Sequence, residues 1–169
     1  MGKKSLEIAG PNVDKNLGML HRAYAFEMQT SYFFQYVSSN IEGIGVLFKD
    51  FFGESAKEEL GHASEINDRL MELGALPTDD PASWEKESGI GKTDPKKSLS
   101  LRSALEKALG FERFAIGLYN DLANATKDKD HATYQLALKL LKAEIEDEQT
   151  IEDILARLEI KDSGESSAA

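Results

Sequence analysis

Two stretches of the chain repeat one arrangement of acids. Glu27 is followed 32 residues later by Glu59, with His62 three residues beyond it. Glu112 is followed 32 residues later by Glu144, with Asp147 three residues beyond that. On a helix, side chains three apart share a face one turn apart, so each Glu-x-x-His or Glu-x-x-Asp pair presents two metal-binding groups in one direction. Two such hairpins packed face to face would aim Glu27, Glu59, His62, Glu112, Glu144 and Asp147 at a single point. That is the donor set of a dinuclear metal centre.

With thirty acids in the chain, an interval could repeat by chance, and most helical glutamates face water. The neighbours one and two turns away argue otherwise. Glu27 shares its face with Leu20, Ala23, Tyr24, Thr30 and Phe34, and Glu112 with Leu105, Ala108, Ala115, Ile116 and Tyr119. Glu59 lies among Phe52, Ala56, Ala63 and Ile66, and Glu144 among Ala137, Leu140, Leu141 and Ile151. Glu146, by contrast, shares a wet face with Lys139, Lys142, Gln149 and Asp153. Four carboxylates at one level of an apolar interior are untenable unless cations neutralise them. Tyr119 reads equally well as a core tyrosine or as a hydrogen-bond partner of a ligand carboxylate.

The elements that must hold these residues follow from periodicity. Residues 1–13 read as a flexible leader, and from Asp14 apolar residues recur at helical spacing as far as Val37. A break over 40–45 precedes a second helix from about Val46 to Leu73, stopped by Gly74. Residues 75–97 hold three prolines and a cap-like Asp80-Pro81, which predicts a short helix around Trp84. A third helix over about 98–125, a polar turn at 127–130 and a fourth helix over about 131–158 complete the bundle; 161–169 read as a disordered tail. The expectation is an all-α fold: one domain over 14–160, an antiparallel four-helix bundle with a long crossover between helices 2 and 3. In an antiparallel hairpin, residues equidistant from the turn lie level. Glu27 and Glu59 are centred on Gly43, and Glu112 and Glu144 on Asp128, both within the expected turns.

Composition excludes several classes of function. A net charge of −10 repels nucleic acid and anionic lipid while attracting cations, which argues against a DNA partner. No apolar run reaches membrane-spanning length and no apolar signal core follows Met1. Absent cysteine removes disulfides, thiolate metal sites and thiol nucleophiles, and fits the cytoplasm. Residues 88–93 look like the end of a phosphate loop, but Lys86 stands where its first glycine is required.

Five carboxylates and one imidazole form a hard, oxygen-rich donor set suited to iron or manganese rather than structural zinc. With Glu27 in Ala25-Phe26-Glu27-Met28-Gln29, the stretch Lys57 to Ala63, Leu73-Gly74-Ala75-Leu76-Pro77, Glu112 with Tyr119, and Glu144 with Asp147, residues 14–160 resemble the ferritin-like superfamily. The likeness is to bacterioferritin and to Dps-like proteins carrying a bacterioferritin-type di-iron centre. That resemblance implies a ferroxidase: two iron ions oxidised by dioxygen or hydrogen peroxide, and iron stored or detoxified inside a hollow homo-oligomer. It further implies that Glu59 and Glu144 bridge the metals, with Glu27, His62, Glu112 and Asp147 terminal. Manganese or zinc fit the same ligands.

Three departures from the family pattern stand out. Asp147 occupies the usual position of a histidine; Leu60 stands where bacterioferritin has its haem-binding methionine, so haem is unsupported; and the cysteine pair of some Dps-like relatives is missing. With no fifth helix evident after Leu158 and a short helix expected near Trp84, the resemblance favours 12 subunits over 24. Two alternatives remain: a di-iron or di-manganese peroxidase or catalase that stores nothing, and a non-enzymatic metal-binding bundle.

Overall fold

The computed structural model describes residues 3–10 and 13–165. Among these there are six α-helices and no strand: α1 (Lys3–Ala9), α2 (Val13–Asn40), α3 (Lys49–Glu72), α4 (Trp84–Ser88), α5 (Leu101–Thr126) and α6 (His131–Glu165). α2 packs along α3 and α5 along α6, and the two antiparallel hairpins close face to face. The expected all-α bundle with a long crossover is what the chain forms.

Both hairpin turns depend on a left-handed residue at the centre of the glutamate spacing. Gly43 has φ 59° and Asp128 has φ 61°, a conformation open to glycine and tolerated by aspartate. The first turn is longer than the sequence suggested. Residues Gly43–Phe48 form a 3-10 segment, and α3 begins at Lys49 rather than near Val46. Its apolar residues Ile44, Val46 and Leu47 are exposed, so they extend no buried helical stripe. Gly45 is required there, because a Cβ at that position would lie 2.5 Å from Ile41 Cγ1.

α5 also starts later than expected, at Leu101. Residues Pro95–Ser98 form a 3-10 turn, and the Ser100 hydroxyl caps α5 by accepting from Ser103 N at 3.3 Å. Two expectations for the termini are corrected. Within the leader, Lys3–Ala9 is helical rather than loose: Ala9 is buried, and Ser5 accepts a 3.1 Å hydrogen bond from Arg69 of α3. The last helix runs on through residues assigned to the tail, as far as Glu165. The expectations for residues 1, 2, 11, 12 and 166–169 lie outside the described residues.

The crossover runs back along α2 and is pinned to it by polar contacts. The Asp80 carboxylate accepts from Ala82 N at 3.0 Å and starts the turn that leads into α4. Ser88 Oγ donates to Gln29 Oε1 and Gln29 Nε2 donates to Gly91 O, both at 2.7 Å; Arg22 Nε donates to Ser88 O at 2.9 Å. At the far end Glu42 N donates to Leu99 O at 2.9 Å, closing the crossover against the first turn. Phenylalanines fill the core between the hairpins, with Phe33 edge-on to Phe111 (centroids 5.0 Å apart) and Phe26 stacked on Phe114 (5.2 Å). Such pairs contribute about 0.5–1.5 kcal/mol each beyond their buried area. The rigid core fixes the height at which the acids meet.

Candidate metal centre

Four of the six residues singled out by spacing converge at mid-bundle. Glu27 of α2, Glu59 and His62 of α3, and Glu144 of α6 each offer a ligand atom within 4.8 Å of the others, and all four are buried. Ligands on opposite sides of an ion about 2.1 Å away are themselves about 4.2 Å apart, so the group has the span of one coordination sphere. His62 Nδ1 is 3.1 Å from Glu144 Oε1, 3.4 Å from Glu59 Oε2 and 3.9 Å from Glu27 Oε2. Glu112 of α5 is 2 % exposed and lies within reach of the charges of Glu59 and Glu144. Asp147 of α6 is only half-buried and stands outside the four-residue group.

The polar atoms of the group lack hydrogen-bond partners. Glu27 Oε2, Glu59 Oε2, His62 Nδ1 and both carboxylate oxygens of Glu144 are buried with none, although native interiors satisfy nearly all such atoms. One oxygen is held: Tyr119 OH donates to Glu27 Oε1. Tyr119 is fully buried, so its hydroxyl orients a carboxylate of the cluster from α5. Two acids one turn beyond the cluster residues are neutralised by ion pairs. Glu65 pairs with Lys139 at 2.5 Å and Glu148 with Arg113 at 2.8 Å. His21 and His131 lie away from the cluster.

Electrostatics agree that these charges need a counter-ion. Burial, followed by the charges of Glu59 and Glu144, holds both Glu27 and Glu112 well above the ordinary carboxylate range. Burial and Glu59 also raise Glu144, while burial and the nearby carboxylates of Glu58, Glu144 and Glu59 push Asp147 up to about 7. For His62, burial opposes the charged form, but the adjacent Glu144 and Glu59 carboxylates prevail and raise it to about 10. Without a metal, protons take the place of the missing cation.

The sign of the resulting pH dependence follows. A group with a raised folded pKa stabilises fully below its unfolded pKa, and that stability is lost as pH rises through the folded value. For Asp147 the window runs from 3.8 to about 7; for His62 it runs from 6.5 to about 10. The metal-free protein is therefore expected to have a higher thermal midpoint at pH 5 than at pH 8. Added Mn(II) should raise the midpoint more at pH 8, because binding displaces those protons. Scanning calorimetry with and without Mn(II) checks this, with Glu27→Gln as a comparison that retains most of the general surface charge. Identical slopes in parent and variant would remove the site from the explanation.

The Ferritin-like domain family matches residues 17–160. The chain belongs to that family. It is 31% identical over 155 residues, 90% of this chain and 83% of the relative, to the DNA protection during starvation protein of Pyrococcus furiosus. Among solved structures it resembles the dodecameric thioferritin, a bacterioferritin-related protein, of Bacteroides fragilis. The identity is 30% and the TM-score 0.89, over 99% of this chain and 100% of that one. Dps from Thermosynechococcus elongatus shares the ferritin-like fold at TM-score 0.75 and 17% identity, over 90% of this chain and 95% of that one. The family binds iron, and the buried Glu/His group of this member could hold a metal ion. Among the described residues no helix is long and apolar enough to cross a membrane.

Proposed function

We propose that this protein is a ferroxidase that takes up Fe(II) as substrate, oxidises it with dioxygen or hydrogen peroxide, and stores or detoxifies the product within a homo-oligomeric shell. The observation that carries this reading is the group of four buried ligand-bearing side chains whose inward atoms lack hydrogen-bond partners. Glu59 and Glu144 act on both Glu27 and Glu112, which suits them to bridge two ions. Glu27 and His62 then complete one position, and Glu112 and Asp147 the other. Hard carboxylate donors favour the ferric product over the ferrous substrate, and so favour its oxidation. Each Fe(II) gives up one electron. Two electrons and two protons reduce hydrogen peroxide to two water molecules, or dioxygen to hydrogen peroxide.

The protein's own residues supply binding and orientation. Burial excludes bulk water, Tyr119 holds Glu27 through one oxygen and leaves the other for an ion, and His62 contributes the single nitrogen. The shell is proposed from the relative described as dodecameric. Twelve chains, 12 × 18.7 kDa, would weigh about 224 kDa, against about 449 kDa for twenty-four. A net charge of −10 points to protection by removal of Fe(II) and oxidant rather than by coating DNA.

The decisive experiment mixes metal-free protein with two Fe(II) per chain, with hydrogen peroxide and separately with dioxygen, and follows ferric absorbance by stopped flow. Oxidation well above the protein-free rate, two sites per chain and a native mass near 224 kDa are expected. An oxidation rate no faster than free iron would end the ferroxidase reading. Peroxide turnover with no mineral after repeated loading would favour the non-storing peroxidase.

A further inference from the structure

The four-residue group is buried, yet an ion must reach it from water. The seams around it differ in how they are closed. Between α2 and α3, Ser31 Oγ donates to Ala56 O at 2.7 Å. Between α2 and α5, Phe26 stacks on Phe114 and Phe33 packs against Phe111. Between α5 and α6, Arg113 ties down Glu148 at 2.8 Å and Glu152 at 2.6 Å. α3 and α6 touch far less than the partners within either hairpin, and away from the cluster their polar links include the Lys139–Glu65 ion pair and, at the end of the bundle, the Arg69–Thr133 hydrogen bond.

On this seam the acids form a gradient of exposure. Glu58 is exposed, Asp147 half-buried, and Glu59 and Glu144 buried. Glu58 lies one turn before His62 on α3 and Asp147 one turn after Glu144 on α6, so each shares a face with a residue of the cluster. Ion pairing separates these two acids from their neighbours. Among the other outward-facing acids of residues 54–65 and 144–152, Glu54 is held by Lys57 at 2.6 Å and Glu65 by Lys139 at 2.5 Å. Glu146 is held by Lys142 at 3.3 Å, and Glu148 and Glu152 by Arg113. Glu58 and Asp147 have no described cation within ion-pair distance. Their charges remain available to a cation from solution.

We propose that Glu58 is the capture residue of this centre: an exposed, uncompensated carboxylate on the α3–α6 seam that draws a divalent cation in and passes it by way of Asp147 to Glu59, His62 and Glu144. The inference rests on the metal-site reading and adds to it a residue outside the six ligands. A carboxylate at the exposed end of this acidic gradient raises the local cation concentration and the association rate, and salt screens that gain. Glu58 should therefore govern how fast the ion arrives and not how fast bound iron reacts.

The test compares Glu58→Gln with Glu54→Gln, which removes an equal exposed charge one turn away that is already paired with Lys57. Association of Co(II) with the metal-free oligomer, followed by its visible absorption, reads capture without any redox step. The expected result is a fall of about three- to ten-fold in the second-order rate for Glu58→Gln and little change for Glu54→Gln. The difference should shrink at high salt, and final stoichiometry should be unchanged. In the Fe(II) assay the same variant should lose rate at low iron and recover it at saturation. Equal Co(II) rates in the two variants, or an effect indifferent to salt, would overturn the proposal. Normal Co(II) capture with no Fe(II) oxidation in the parent would instead overturn the ferroxidase reading and leave the capture role standing.

Discussion

Replacing Glu144 by alanine is expected to slow Fe(II) oxidation by more than about 100-fold and to leave the bundle helical. Loss of a residue that merely orients a ligand typically lowers metal affinity or activity 10- to 100-fold. Glu144 has a larger role, since its carboxylate lies beside His62 and acts on Glu27, Glu112 and Asp147. The fold should survive because these acids repel one another in the metal-free state, and removing one relieves the others. Glu144→Gln separates charge from volume. It should be as inactive as the alanine variant, yet its metal-free form should have a higher thermal midpoint than the parent at pH 8. A fully buried acid whose pKa is raised by burial and by Glu59 destabilises the charged folded state there. Stopped-flow oxidation and calorimetry on the same preparations check both halves. A Glu144→Gln protein oxidising Fe(II) at the parent's rate would show that the reaction occurs elsewhere.

Much of this site was legible because helical spacing and hairpin symmetry are local rules. Glu27 and Glu59 could be placed level because their midpoint is Gly43, and Glu112 and Glu144 because theirs is Asp128; both midpoints are left-handed turn residues. The apolar neighbours of the four glutamates correctly signalled burial. Spacing assigns a face but not a depth, however. Asp147 follows Glu144 by one turn as expected, yet it sits at the half-exposed edge, outside the four-residue group. Val46 and Leu47 were read as the start of a helix, whereas they lie in the turn and are exposed. A helix as short as α1 is not stable on its own propensity; it depends on tertiary contacts such as that of Ser5 with Arg69, which no local pattern announces.

Arg69 carries the second large expectation, and it concerns stability rather than chemistry. At the end of the bundle where α3 and α5 finish and α6 begins, its buried guanidinium joins three elements. Nη2 donates to Asp130 Oδ1 at 2.7 Å, Nε to Thr133 Oγ1 at 2.8 Å, and Nη1 to Ser5 Oγ at 3.1 Å and Glu72 Oε2 at 2.6 Å. Asp130 in turn caps α6, accepting from Thr133 N at 3.1 Å and from Thr133 Oγ1 at 2.6 Å. Arg69→Ala would leave the fully buried Asp130 charge without its cation, a change that costs about 3–5 kcal/mol in comparable pairs. Burial disfavours the Asp130 charge, but Thr133 and Arg69 outweigh it and hold this carboxyl below its usual 3.8. A lowered pKa stabilises above the unfolded value and is lost as pH falls through the folded one. The deficit of Arg69→Ala should therefore be largest near neutral pH and shrink below about pH 3.8. Pairing the change with Asp130→Asn should recover part of it, since the stranded charge goes while the cap oxygen remains. Urea unfolding of the parent, both single variants and the double variant measures the coupling, and additive losses would show that the pair does not act as a unit. Fe(II) oxidation by the folded Arg69→Ala protein should stay near the parent's rate, because the network lies at the bundle end and none of its residues belongs to the mid-bundle cluster.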